Sequence, residues 1–127
     1  MIARRIAIAT LTPFFLVPLP AAAQQAAPDG ERLFRTRCAS CHSTDPGQNR
    51  IGPHLAGVLG RDAGSIDGAR YSQALKAADI VWDEATLDSY LADPRGRVPG
   101  TTMTVALRND SERAAVIAYL RDLPAAK

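Results

Sequence analysis

Apolar positions fall along this chain in short clusters, separated by long polar stretches. The first cluster, Ile6 to Leu19, is mostly apolar and is broken by Pro13 and Pro18. After a polar, alanine-rich lead over Gln24–Ala27, Pro28-Asp29-Gly30-Glu31 reads as a helix start. Its acidic groups sit where the helix dipole is positive. That helix would carry Leu33, Phe34, Arg37 and Cys38, with Leu33 and Phe34 on the inner face. From Ser43 to Asp67 there is little periodicity and much glycine, at 47, 52, 57, 60 and 64, with Gly68 just beyond. Tyr71 to Ala78 can form a short helix. Trp82-Asp83-Glu84 opens another, with Asp83 as cap, Leu87, Tyr90 and Leu91 on one face, and Asp93-Pro94 as its stop. Arg95 to Thr102 reads as loop. Asn109 and Glu112 have the spacing of a capping box. A last helix follows, with Val116, Ile117, Leu120 and Leu123 at helical intervals and Asp122-Leu123-Pro124 as its end. No repeat is visible, and no run alternates well enough for a strand. The expected class is all-α, with a few short helices joined by long loops.

Such helices are too short to hold in water alone and must pack on something. Their own apolar side chains make a thin core. A glycine-rich loop as long as Ser43–Asp67 is unusual in a compact domain unless it wraps a ligand. The pattern therefore asks for a cofactor in the core. A large flat apolar group buried there would contribute on the order of 10 kcal/mol of apolar burial, so the chain without it is expected to be largely unfolded.

The 127 residues suggest one domain. The first 23 fall outside it. Arg4 and Arg5, the apolar run, and Ala21-Ala22-Ala23 before Gln24 are the three regions of a secretory signal peptide. The expected division is a signal peptide over 1–23 and a single domain over 24–127. The apolar run is short and proline-broken for a membrane span; an uncleaved anchor is the alternative, and the mass of the exported protein separates the two. The net charge of +2 vanishes once Arg4 and Arg5 are removed. A near-neutral chain argues against nucleic acid or anionic lipid as a partner.

The chemistry centres on Cys38-Ala39-Ser40-Cys41-His42, which reads C-x-x-C-H, the pattern for covalent attachment of a c-type haem. Each thiol can add across one haem vinyl group. The adjacent histidine can then bind the iron through a ring nitrogen. A dithiol redox pair expects a βαβ context, which the pattern lacks. Zinc needs two more close ligands, and the only other histidine is His54. A Cys38–Cys41 disulfide is the competing fate in an oxidising compartment.

Further matches follow in order: Gly52-Pro53-His54-Leu55, Gly57-Val58-Leu59-Gly60-Arg61, Tyr71-Ser72, Trp82, Thr86 to Leu91, Asp93-Pro94, Pro99-Gly100-Thr101-Thr102-Met103 and Ile117-Ala118-Tyr119-Leu120. With these the chain resembles the class I cytochromes c, of the mitochondrial type with its bacterial relatives, from Gly30 to Leu120. The resemblance implies the cytochrome c fold around one covalent haem c, and a one-electron carrier without catalytic residues.

The resemblance also names Met103 as the second axial ligand, opposite His42. The residues agree with this. Met103 lies in a Pro/Gly loop and not on an apolar helical stripe. The other methionine, Met1, would leave with the signal peptide. A thioether favours ferrous iron and raises the reduction potential. His54 is the rival ligand, or else a solvated loop histidine. By the same resemblance Pro53 would orient the His42 imidazole through its carbonyl. Arg61, Tyr71 and Trp82 would hydrogen-bond the haem propionates, and Tyr90 and Thr101 would lie near the sulfur and the inner propionate. Phe34 and Tyr119 would meet where the first and last helices cross at Gly30.

The chain departs from the family at Thr102, Val105, Asn109 and Asp110, where lysines or an aromatic are common. Arg37, Arg50 and Arg95 are the remnants of a lysine ring. The expected protein is periplasmic and monomeric, and works with redox protein partners. Alternatives are a dedicated electron-transfer subunit of one dehydrogenase or reductase, or a haem peroxidase or small-gas binder with an open sixth position.

Overall fold

The computed structural model describes residues 28–125. The expected signal peptide and the lead before Pro28 lie outside those residues. Five helices follow one another: α1 (Gly30–Arg37), α2 (Gln73–Ala77), α3 (Glu84–Ala92), α4 (Pro94–Arg97) and α5 (Asp110–Arg121). No strand occurs among the described residues. The one β-type pairing there is an isolated antiparallel bridge between Asp62 and Val81. The fold is all-α.

Each helix start is written in its cap. Asp29, Ser72, Asp83 and Asn109 each turn a side-chain oxygen toward a backbone N–H of the first turn of α1, α2, α3 and α5. At α3 the box is complete: Thr86 N–H donates to Asp83 Oδ1 at 2.7 Å, and Asp83 N–H donates to Thr86 Oγ1 at 2.8 Å. Asn109 accepts from Glu112 N–H at 3.0 Å.

The expectation of plain loop from Arg95 onward is corrected at one turn. Pro94–Arg97 is helical, because Asp93 ends α3 and also caps α4, accepting from Gly96 N–H at 3.0 Å. Pro94 then stands at the first helical position, where its missing N–H costs nothing.

Helices α1 and α5 cross at Gly30. A Cβ there would collide with the Ala115 carbonyl, so only glycine lets the two backbones approach this closely. The crossing is filled by Phe34 and Tyr119, with ring centroids 5.6 Å apart and planes tilted by 48°. Helix α5 also packs on α3, and Leu87, Tyr90, Leu91, Val116, Ile117 and Leu120 form the buried layer between them.

The segment between α1 and α2 holds its shape by scattered backbone bonds. Gly52 N–H reaches Cys41 O and Leu55 N–H reaches Ser43 O, both at 2.8 Å. Farther along, Gly60 N–H donates to Trp82 O at 2.7 Å, and Trp82 N–H to Arg61 O at 2.9 Å. The loop thus forms one wall of a hollow whose other walls are α1, α3 and α5.

Candidate functional site

Cys38 closes α1 as its C-cap. Its carbonyl accepts from Cys41 N–H at 3.0 Å and from His42 N–H at 2.9 Å. This single turn places Cys38, Cys41 and His42 together on the wall of a cavity of about 300 Å³. Both cysteines are free thiols, half-buried. Burial pushes the Cys38 thiol up, against the opposing pull of Arg37. A dithiol redox pair depends on a depressed thiol pKa, and this site pushes the other way. Among the described residues no group of three or more His, Cys, Asp or Glu is placed to hold a metal by itself.

The His42 ring is fixed from two sides. Its Nδ1 lies 2.7 Å from the Pro53 carbonyl oxygen. A carbonyl only accepts, so Nδ1 carries the proton and Nε2 keeps its lone pair. Burial also lowers the His42 pKa and favours the neutral ring. The second constraint is Gly52, where a Cβ would come within 2.5 Å of His42 Cε1. The imidazole therefore sits in a slot that only glycine leaves open. A neutral imidazole held by a second partner is the form in which histidine serves as a metal ligand.

Met103 reaches the same cavity from the loop between α4 and α5. Its N–H donates to Thr101 Oγ1 at 3.4 Å, and that oxygen lies 2.7 Å from the Tyr90 hydroxyl. Tyr90 comes from α3, so a buried chain of hydrogen bonds ties the methionine loop to a rigid helix. Burial raises the Tyr90 pKa, and the phenol stays protonated.

Arg61, Tyr71 and Trp82 border the cavity as well. Arg61 is half-buried and donates to His54 O at 2.9 Å and Ala56 O at 3.3 Å. The Tyr71 hydroxyl accepts from Ile66 N–H at 3.2 Å, which leaves its own proton to give. Trp82 is buried and packs its ring on Tyr90, centroids 5.1 Å apart. All ten residues singled out from the sequence thus line one cavity.

His54 is corrected. It is not a solvated loop histidine, being only 4% exposed, and it does not border the cavity. Its N–H is taken by Asn49 Oδ1 at 3.1 Å, and its Nδ1 has no partner among the described residues. Burial, with Arg61 alongside, holds its pKa below the usual value.

Sequence reasoning passed over Arg113. Its side chain is buried and donates to Asp88, Asp110 and the Leu107 carbonyl, locking the start of α5 to α3. The available signal was its position, three and four residues before Val116 and Ile117, on the inner stripe of the helix.

The cavity is predominantly apolar, walled by Phe34, Leu55, Val58, Leu91 and Leu120 among others. At about 24 cal/mol per Å³, leaving such a hollow unfilled would cost about 7 kcal/mol, comparable to a whole domain's stability. The residues fit a flat apolar group that two thiols can hold by covalent bonds. Fold and site together define a small helical electron carrier folded around one covalently attached haem.

Comparison with known proteins gives the same class. The family model described as Cytochrome c matches residues 27–124. The chain is 49% identical over 87 residues to cytochrome c2 iso-2 of Magnetospirillum fulvum, spanning 68% of this chain and 91% of that protein. It is 43% identical over 108 residues to cytochrome c2 of Blastochloris viridis, 84% of each chain. It is 44% identical over 95 residues to cytochrome c of Stellaria longipes, 73% of this chain and 88% of that protein. The chain belongs to the cytochrome c family. It binds one haem c through Cys38 and Cys41, and it is an electron carrier.

Proposed function

We propose that this chain is an exported, monomeric cytochrome whose haem iron is held by His42 and Met103, and that it passes single electrons between periplasmic redox proteins. The observation that carries this reading is the shared cavity. An imidazole fixed in its neutral tautomer and the methionine loop tethered by Thr101 both border it. When bound, the haem supplies a one-electron iron couple whose potential a thioether ligand raises. The protein's part is positional. Pro53 and Gly52 fix the imidazole, and Tyr90 and Thr101 hold the methionine loop. The apolar wall excludes water. Held ligands keep the geometry alike in both oxidation states, so reorganisation is small and no catalytic residue is needed. No helix among the described residues is long and apolar enough to cross a membrane.

Met103→Leu tests the ligand set. Loss of the long-wavelength sulfur–iron absorption band is the expected result, with the band kept in His54→Ala. A band that survives Met103→Leu overturns the assignment. A high-spin spectrum and rapid CO binding in the reduced wild-type protein would point to a peroxidase or gas binder.

A dedicated subunit of one redox complex is the second reading. It is favoured by the cavity rim, where exposed Thr102 and Thr104 flank Met103 and Ile51 is 69% exposed. With most of the family's lysine ring missing, the rim steers encounter weakly, so the association rate should depend little on salt. Co-purification with one partner supports the subunit reading; a steep fall of rate with ionic strength contradicts weak steering.

A further inference from the structure

The charged side chains bordering the cavity are Arg37, Arg61 and Arg70, and no aspartate or glutamate borders it. A haem carries two carboxylate tails, on the porphyrin edge away from the vinyl groups that form the thioethers. The three arginines are not equivalent toward them. Arg61 already donates to two backbone carbonyls. Arg37 adjoins Cys38 and acts on that thiol, at the thioether edge. Arg70 borders the cavity next to Tyr71 in the chain. The hydroxyl proton of Tyr71 is left free by the bond from Ile66. Arg70 is exposed and takes part in none of the ion pairs or side-chain hydrogen bonds found among the described residues.

We infer that Arg70 is the counter-ion of one haem propionate, a role beyond the hydrogen-bond donors expected for the propionates at Arg61, Tyr71 and Trp82. A guanidinium fork matches a carboxylate through two parallel hydrogen bonds, which a point charge cannot copy. Arg70 is thereby a positioning residue. It holds the outer tail and shields its negative charge from the iron. This rests on the proposed covalent, His42/Met103-ligated haem.

The test uses the holoprotein and three variants: Arg70→Gln, Arg70→Lys and, as a charge control away from this cavity, Arg97→Gln. Midpoint potential is measured together with the paramagnetically shifted propionate resonances of the ferric protein. Loss of the Arg70 cation favours ferric iron, so at fixed ambient potential Arg70→Gln should be about threefold more oxidised, the size expected for one exposed charge in a high effective dielectric. The resonances of one propionate should move, the lysine variant should recover most of the potential, and Arg97→Gln should leave both readouts alone. Unmoved propionate resonances in Arg70→Gln, or an equal drop in potential for Arg97→Gln, overturns the assignment. The sulfur–iron band is recorded on the same samples. Its absence from the wild-type protein would count against the ligand set, and its presence confines a negative result to Arg70.

Discussion

His42 Nδ1 and the Pro53 carbonyl oxygen lie 2.7 Å apart, though the two residues are eleven positions apart in the chain. The bond fixes which nitrogen holds the proton, and it works only because residue 52 has no side chain. Gly52→Ala would drive a methyl group into the imidazole. The ring or the loop must move, at a cost of about 1–3 kcal/mol. The holoprotein should melt earlier and show a weakened sulfur–iron band. An unchanged melting curve and band would show that the slot has slack.

Tyr90 and Thr101 share a buried hydrogen bond at 2.7 Å, and Thr101 also accepts from Met103 N–H. Tyr90→Phe should cost about 1 kcal/mol, and Thr101→Val somewhat more because it also strips the Met103 contact. Denaturant unfolding of both single variants and the double variant measures the coupling. Strict additivity would mean that the two groups do not act together.

Arg113 joins α3 to α5 through Asp88 and satisfies the Leu107 carbonyl, which lies at 3.0 Å. Arg113→Leu keeps the bulk but leaves these acceptors without their donor. A loss of about 2 kcal/mol is expected, with the visible spectrum unaltered because Arg113 does not border the haem cavity. A spectral change at full folding would place it in the site after all.

Asp83 gives a pH dependence of definite sign. The Thr86 backbone N–H and hydroxyl hold its carboxyl below the ordinary 3.8. A folded-state pKa below the unfolded one contributes stability above the unfolded value, and this is lost as pH falls through the folded one. Wild type should therefore lead Asp83→Asn at neutral pH, and the gap should close below about pH 4. A gap that widens in acid would have the wrong sign.

Much of this protein is legible along the chain because its signals are local. Caps at Asp29, Asp83 and Asn109 need only the next turn, and the haem motif is five residues long. What escaped depends on distant partners. Arg113 is buried because Asp88, twenty-five residues away, meets it. His54 is buried because the loop folds its ring inward, and no periodic pattern announces that. Helix α4 was hidden because Asp93 serves two helices at once, stopping one and starting the next. Gly52 stood among many loop glycines, and only the His42 ring distinguishes it.

The most direct measurement is the absorption of the exported protein, made with haem-maturation machinery, after denaturation and removal of everything not covalently bound. The pigment should stay with the polypeptide at one haem per chain and be lost from a Cys38→Ala, Cys41→Ala double variant, which should also lack native helical dichroism. A colourless wild-type chain, or a double variant that folds normally without pigment, would contradict the account.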